Sequence, residues 1–266
     1  MRPPVRVTDR HLFDTIIDAR TPAEYAIDHI PGAINCPTLT NEQRVVVGTL
    51  YKQVGAFEAK RVGGAMVADN LAKHLRETFA DKPAHWKPLI YCWRGGLRSG
   101  SMMQWLRLVG WDAQQLAGGY KSWRRYCLDL IASVAPGLDI RVVVGATGSA
   151  KTRVLQSLAQ RGEQVIDLEG LASHKGSILG GLPDMPQPSQ TRFETLLSRL
   201  LETVDRKRPV YVEGESRKIG RLTVPEPLLA RMRSSPCIEV SASLDARLAY
   251  LLQDYAYLGQ DRASLA

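Results

Sequence analysis

The segment Arg141–Thr152 constrains the fold of this chain more than any other. A β-branched run, Arg141-Val-Val-Val144, runs straight into Gly145-Ala-Thr-Gly148-Ser149-Ala150-Lys151-Thr152. That order predicts a buried strand, a tight glycine loop and a helix opening at Lys151. A loop so placed aims successive backbone N–H groups, and the positive end of the helix dipole, at one point. An anionic phosphate or diphosphate is the ligand that suits it. Lys151 would neutralise the charge and Thr152 could ligate Mg²⁺, with Gly145, Gly148 and Ser149 completing the cradle. Ala150 stands where such loops usually have glycine. A helix-like φ there would cost little, whereas a close backbone approach to phosphate would weaken binding. The bland alternative is an incidental glycine-rich turn.

A second strand–loop–helix unit precedes it. Pro88-Leu-Ile-Tyr-Cys92 reads as a buried strand, and Cys92-Trp-Arg94-Gly95-Gly96-Leu-Arg98-Ser99 as the loop that follows. Met102, Trp105, Leu106 and Val109 are spaced as one helix face, ending at Gly110. A thiolate at the start of such a loop is stabilised by N–H groups and the helix dipole, which makes Cys92 a nucleophile at neutral pH. Gly95 and Gly96 permit the curl, while Arg94 and Arg98 add positive charge. A structural thiol at a strand end is the alternative, but it would not call for two glycines and two arginines. The spacing Cys-x5-Arg-Ser also suits a cysteine-dependent phosphatase, in which Arg98 would clamp phosphate. The remaining cysteines, Cys36, Cys127 and Cys237, form no Cys-x-x-Cys pair with Cys92 or each other, which argues against a zinc site or a disulfide framework. Cys127 and Cys237 read as ordinary buried residues.

Strand, loop and helix recur on both sides of Ala135-Pro-Gly-Leu-Asp139, the predicted linker. The expected class is α/β, with a parallel sheet in each of two domains, 1–134 and 140–266. A chain of 266 residues is long enough for two. No run approaches the ~20 apolar residues of a membrane helix, and MRPPVRVTDRHLFD has no apolar signal core, so the expected location is the cytoplasm with no membrane partner. Gly180–Gln190, rich in Pro and Gly, predicts a long mobile loop. Thirty-five Lys and Arg against 27 Asp and Glu give a net charge of +8, a field that favours polyanions such as nucleic acid and phosphorylated small molecules. A solvated basic surface is the alternative. Pro209-Val-Tyr-Val-Glu213-Gly-Glu215 predicts a strand ending in carboxylates, where a metal- or water-orienting acid would sit. Asp167-Leu-Glu169 is a weaker case of the same kind. Lys207, Arg208, Arg217, Lys218, Arg221, Arg231 and Arg233 form a basic cluster in sequence beside those acids, with a solvated face as the alternative.

Three flanking blocks decide how to read the Cys92 loop. Asp18-Ala-Arg20-Thr-Pro-Ala-Glu24-Tyr25, then Asp28-His29-Ile-Pro-Gly-Ala-Ile-Asn35-Cys36-Pro37, then Leu116-Ala-Gly118-Gly119-Tyr120-Lys-Ser-Trp123 resemble the rhodanese (sulfurtransferase) family. Within them, Asp18 and Arg20 are expected to form a local polar network and His29 to be structural. A rhodanese-like domain followed by a P-loop NTPase-like domain, together with Val47–Gly55, His174–Ser177, Pro186–Glu194 and Glu213–Arg221, resembles the tRNA 2-selenouridine synthase family over nearly the whole chain.

The resemblance implies a transferase acting on the wobble uridine of tRNA. Its 2-thio group would be alkylated from geranyl diphosphate, then replaced by selenium from selenophosphate. Cys92 would carry the selenium or assist its transfer, and the loop 145–152 would hold a diphosphate or phosphate. A rhodanese-type sulfurtransferase with a regulatory nucleotide site is the other enzymatic reading, and a non-catalytic tRNA-binding scaffold a third. Family members typically carry a further helical segment past the block matching Leu244–Tyr257, so the second domain is expected to be C-terminally shorter than theirs.

Overall fold

The computed structural model describes residues 4–176, 180–181 and 185–254. Ser177 and residues 182–184 of the predicted loop lie outside these, as do 255–266. The chain divides into two compact units, 1–126 and 127–266.

In the first unit, β1 (Thr15–Asp18), α1 (Pro22–Ile27) and β2 (Ile34–Asn35) lead into two helices, α2 (Asn41–Gln53) and α3 (Ala56–Glu77). Then come β3 (Pro88–Tyr91), α4 (Leu97–Val109), β4 (Gln114–Gln115) and α5 (Gly119–Val134), whose last turns belong to the second unit. The strands pair in parallel, in the order β2-β1-β3-β4. All four residues of β3 are buried, which is why the sequence there is apolar without alternation. The core beside it contains Ile17, Leu71, Phe79, Ile90, Met102 and Leu106. Thr21-Pro22-Ala23-Glu24 starts α1 as a capping box with proline at the first turn. Gly110 ends α4 with φ +113°, a left-handed position that suits glycine.

The second unit contains β5 (Ile140–Val144), α6 (Lys151–Gln160), β6 (Gln164–Ile166), α7 (Leu168–Ala172), α8 (Gln190–Thr203) and β7 (Val210–Glu213). A short antiparallel hairpin of β8 (Lys218–Ile219) and β9 (Leu222–Thr223) turns at Gly220. The chain continues through α9 (Glu226–Arg233), β10 (Cys237–Glu239) and α10 (Leu244–Asp254). The sheet is parallel, in the order β10-β5-β7-β6.

Four expectations change. Ala135–Gly137 is a 3-10 turn rather than an open linker, and Ala135 and Leu138 are fully buried. Together with Ile131 and Val134 they belong to the core of Ile140, Phe193, Val212 and Leu228. The second unit therefore begins within α5, ahead of the expected boundary, because the apolar face of that helix's last turns is buried with it. The described part of the 180–190 segment is anchored. Gln187 donates to Ile219 O at 3.0 Å and accepts from Arg221 N at 3.0 Å, and Ser189 caps α8. Cys237 is exposed, not buried, since β10 is the edge strand of its sheet and all three of its residues are exposed. Cys127 is buried, as expected.

Candidate functional site

Each unit places one candidate site at the C-terminal end of a central strand, where open parallel sheets bind ligands. In the first unit that strand is β3, and Cys92 follows it with 3% exposure. Gly96 N–H donates to Cys92 Sγ at 3.3 Å and Ser99 Oγ donates to it at 3.0 Å. Burial pushes the thiol up, but the Ser99 hydroxyl, the backbone N–H groups of Ser99 and Gly96 and the Arg98 charge outweigh burial. Cys92 therefore lies below the ordinary thiol pKa. Cys36 shows the contrast: burial, with the Asp18 charge adding to it, raises its thiol to about 12.

The loop curls tightly for a steric reason. Gly95 has φ +68°, and a Cβ on Gly119 would lie 2.2 Å from Cys92 O and 2.6 Å from Gly95 N. Arg98 does not face an open anion site. Its guanidinium pairs with Glu24 at 2.7 Å, so its charge reaches Cys92 only through space. Arg94 is exposed. Ser99, the strongest single donor to sulfur, closed the loop in the sequence but carried no role there; a hydroxyl one turn into the helix is the signal that could have found it.

The flanking blocks supply a scaffold. Arg20 donates to Asp18 at 2.6 Å and to Asp28 O at 2.7 Å, Tyr91 OH donates to Asp18 at 2.7 Å, and Tyr120 OH donates to Asp28 at 2.7 Å. All of this is buried, as a polar network must be to hold charged groups in a core. His29 stacks on Tyr25 with ring centroids 3.9 Å apart, a structural position.

In the second unit the glycine loop follows β5. Lys151 Nζ donates to Gly145 O at 3.0 Å, and Thr152 Oγ1 donates to Glu169 Oε2 at 3.1 Å. Ser149 Oγ is buried without a hydrogen-bond partner. Ala150 has φ +61° and ψ +32°, a left-handed position and not the helix-like one that would suit alanine. Glu213, at the end of β7, is 2% exposed; Oε1 accepts from Glu169 N, and Oε2 is buried with no partner. Burial, with the charges of Asp167 and Glu169, pushes its carboxyl up to about 8. Burial and Glu169 likewise lift Glu215 to about 7 against the pull of Lys151. Asp167 and Glu169, the weaker pair in the sequence, thus stand beside Glu213 and Glu215. Helix α10 supplies residues that the sequence did not mark: Arg247 Nε donates to Thr147 O at 2.9 Å, and Tyr250 lies under Arg153 at 5.0 Å.

The basic cluster is divided. Arg208 pairs with Glu163 at 3.3 Å, Arg231 donates to Leu138 O at 2.7 Å, and Arg221 donates to Gln187 O. Arg217, Lys218 and Arg233 are exposed.

Among the described residues, no three His, Cys, Asp or Glu side chains are arranged to hold a metal, and no helix is long and apolar enough to cross a membrane.

Comparison with known proteins assigns both units. A rhodanese-like domain matches residues 7–126, and a tRNA 2-selenouridine synthase AAA domain matches residues 138–264. The α/β fold of both domains is therefore the expected one. The tRNA 2-selenouridine synthase of Nitrosomonas europaea is 37% identical over 254 residues, covering 94% of this chain and 66% of that protein. That of Alcanivorax borkumensis is 38% identical over 250 residues, covering 92% and 67%. That of Pseudomonas fluorescens is 37% identical over 252 residues, covering 94% and 67%. The chain spans about two thirds of the length of these relatives.

Proposed function

The chain belongs to the tRNA 2-selenouridine synthase family, and on that premise we propose that it is a cytoplasmic transferase that replaces sulfur by selenium at a wobble 2-thiouridine of tRNA. The co-substrates are geranyl diphosphate and selenophosphate. In the first half-reaction the carbon–oxygen bond of the prenyl diphosphate breaks, a carbon–sulfur bond to the 2-thio group forms, and diphosphate leaves. In the second, the selenium of selenophosphate adds at C2 of the base, the prenylthiolate leaves with the electron pair of the carbon–sulfur bond, and water then cleaves the phosphorus–selenium bond to release phosphate. Alkylation matters because an unmodified sulfur at that carbon is a poor leaving group.

The observation that carries this reading is the pair of donors on Cys92 Sγ. They stabilise a chalcogen anion at neutral pH, as selenium delivery requires. The loop 145–152 suits the other half-reaction, with Lys151 neutralising a diphosphate. Mg²⁺ fits there too. Thr152 offers a hydroxyl, and Glu213 a buried carboxyl oxygen without a partner, whose ionised form a bound cation would stabilise. Such a metal is commonly held by one or two protein groups and substrate phosphates, and so requires no three-residue cage. Bound there, it would offset the diphosphate's charge.

The test is product analysis by mass spectrometry on 2-thiouridine tRNA and on S-geranyl tRNA. Lys151→Ala removes a charge-assisted contact of about 1.5–3 kcal/mol and should abolish geranylation while largely sparing selenium exchange. Cys92→Ser should do the reverse. Equal loss of both half-reactions in both variants would refute the division of labour. Nucleotide hydrolysis with geranyl diphosphate ignored would favour the regulated sulfurtransferase.

A further inference from the structure

A groove of about 800 Å³ lies in the first unit, between α2, α3 and the start of α4, within the range of small-molecule sites. Its walls include Leu39, Val47, Ala59, Val67 and Leu97. Leu97 is 76% exposed and Tyr51, also on the groove, 62%. Apolar surface of this kind gains by being covered.

Two glycines of α3 shape the groove. A Cβ on Gly63 would press on Val47 at 3.1 Å, so this glycine lets α2 and α3 approach closely. A Cβ on Gly64 would meet nothing within 4 Å, so this position leaves open room. The rim is basic through Arg44 and Lys60, while Arg98 beside them is paired with Glu24. The inner end of the groove is the reactive loop. Gly96 lines it and donates to Cys92 Sγ. Gln115 lines it as well and donates at 2.7 Å to Ser99 Oγ, the other donor to that sulfur.

An occupant matched to these features has a hydrocarbon chain for the walls, anionic groups for the rim and a reacting end at Cys92. We infer that the groove seats the prenyl chain of the S-prenylated uridine during selenium exchange, with RNA phosphates at its basic rim. This rests on the proposed function and adds to it a specificity site for the leaving group. A chain held there would place C2 of the base against the Cys92 loop and would reject tRNA that has not been alkylated.

The test uses the full chain and two probes. One is decyl phosphate, followed by calorimetry. The other is an anticodon stem-loop RNA carrying either 2-thiouridine or S-geranyl-2-thiouridine, followed by fluorescence anisotropy. The wild type should bind decyl phosphate, and it should bind the S-geranyl RNA at least tenfold more tightly than the 2-thio RNA. Burial of about two methylene groups already supplies that factor. Gly64→Trp fills the open room and should remove both effects, while the circular dichroism spectrum and the rate of Cys92 alkylation by iodoacetamide stay unchanged. Tyr51→Asp, at an exposed position, should weaken both in the same way and serves if the tryptophan variant does not fold. Chain binding that survives both substitutions, or no chain-dependent affinity with either probe, overturns the inference. Decyl phosphate binding that depends on Gly64, with neither RNA bound, supports the groove and refutes the tRNA reading instead.

Discussion

At the scale of single residues, Ser99 decides how reactive Cys92 is. Burial alone would hold the thiol protonated, and the Ser99 hydroxyl is the foremost of the groups that oppose it. The sign follows directly: a depressed thiol pKa places thiolate, and hence reactivity, at lower pH than in an ordinary cysteine. Ser99→Ala should move the pH–rate profile of alkylation upward and slow the reaction at neutral pH roughly tenfold, since a hydrogen bond to a charged group contributes about 1.5 kcal/mol or more. The measurement belongs on a Cys237→Ser background, because Cys237 is exposed and would take up label for want of cover. Ala150 is the second such residue. A left-handed alanine costs about 1–2 kcal/mol, so Ala150→Gly should raise the midpoint of thermal unfolding after the lost chain rigidity of about 0.5 kcal/mol is offset. An unchanged or lower midpoint would show that the loop does not hold that strain. Glu213 is the third. Its carboxyl is raised to about 8 in the fold, so the stability it contributes is complete below the ordinary carboxylate range and is lost as pH rises through 8. The slope is on the order of 1 kcal/mol per pH unit between those limits. Glu213→Gln should flatten that decline in metal-free denaturant titrations. It should also abolish any rise in melting temperature that MgCl₂ gives the wild type.

At the scale of elements, strand–loop–helix order was legible wherever one residue type had a single conformational use. The apolar run Pro88–Tyr91, the valines before Gly145 and the stop at Gly110 each matched the element found. What could not be read were pairings made over distance. Glu24 serves both as the third residue of the α1 capping box and, 74 positions away, as the partner of Arg98. Local spacing therefore credits Arg98 to the anion loop without showing that a carboxylate holds it. The α2–α3 pair was legible only as the block Val47–Gly55, because its faces mix exposed valines with glycine and give no clean apolar stripe. Ala135–Leu138 has the composition of a linker, yet it is buried, since the proline and glycine shape a 3-10 turn that inserts two apolar side chains into the core. The cysteine loop itself depends on an element outside it. Gly119, the first residue of α5, has φ +57° and sits against the backbone of Cys92, Arg94 and Gly95. Gly119→Ala should cost about 3 kcal/mol through overlap and strain and suppress Cys92 alkylation. Retention of both stability and reactivity would show that the curl does not need this contact.

At the scale of the molecule, the charge of +8 is the property that bears on a polyanionic partner. It is a sum, and the structure shows that some of its terms are already used. Arg20 is buried on Asp18, Arg98 lies on Glu24, Arg208 on Glu163 and Arg141 on Asp139. Arg231 caps the carbonyl of Leu138. These cannot meet RNA phosphates without breaking contacts that the fold uses. Exposed Arg217, Lys218 and Arg233 can. If several such residues displace counterions, log K for tRNA must fall linearly with log salt, each phosphate contact adding roughly 0.7–0.9 to the slope. Arg217→Ala should then weaken binding about equally for all tRNAs and reduce the slope by about 1. Arg208→Ala, by contrast, should leave the slope unchanged, because Glu163 already occupies that guanidinium. Anisotropy titrations over a salt series read both variants at once. A flat salt profile would mean that the basic surface is simply solvated, and equal effects of the two substitutions would mean that the ion pair with Glu163 yields to RNA.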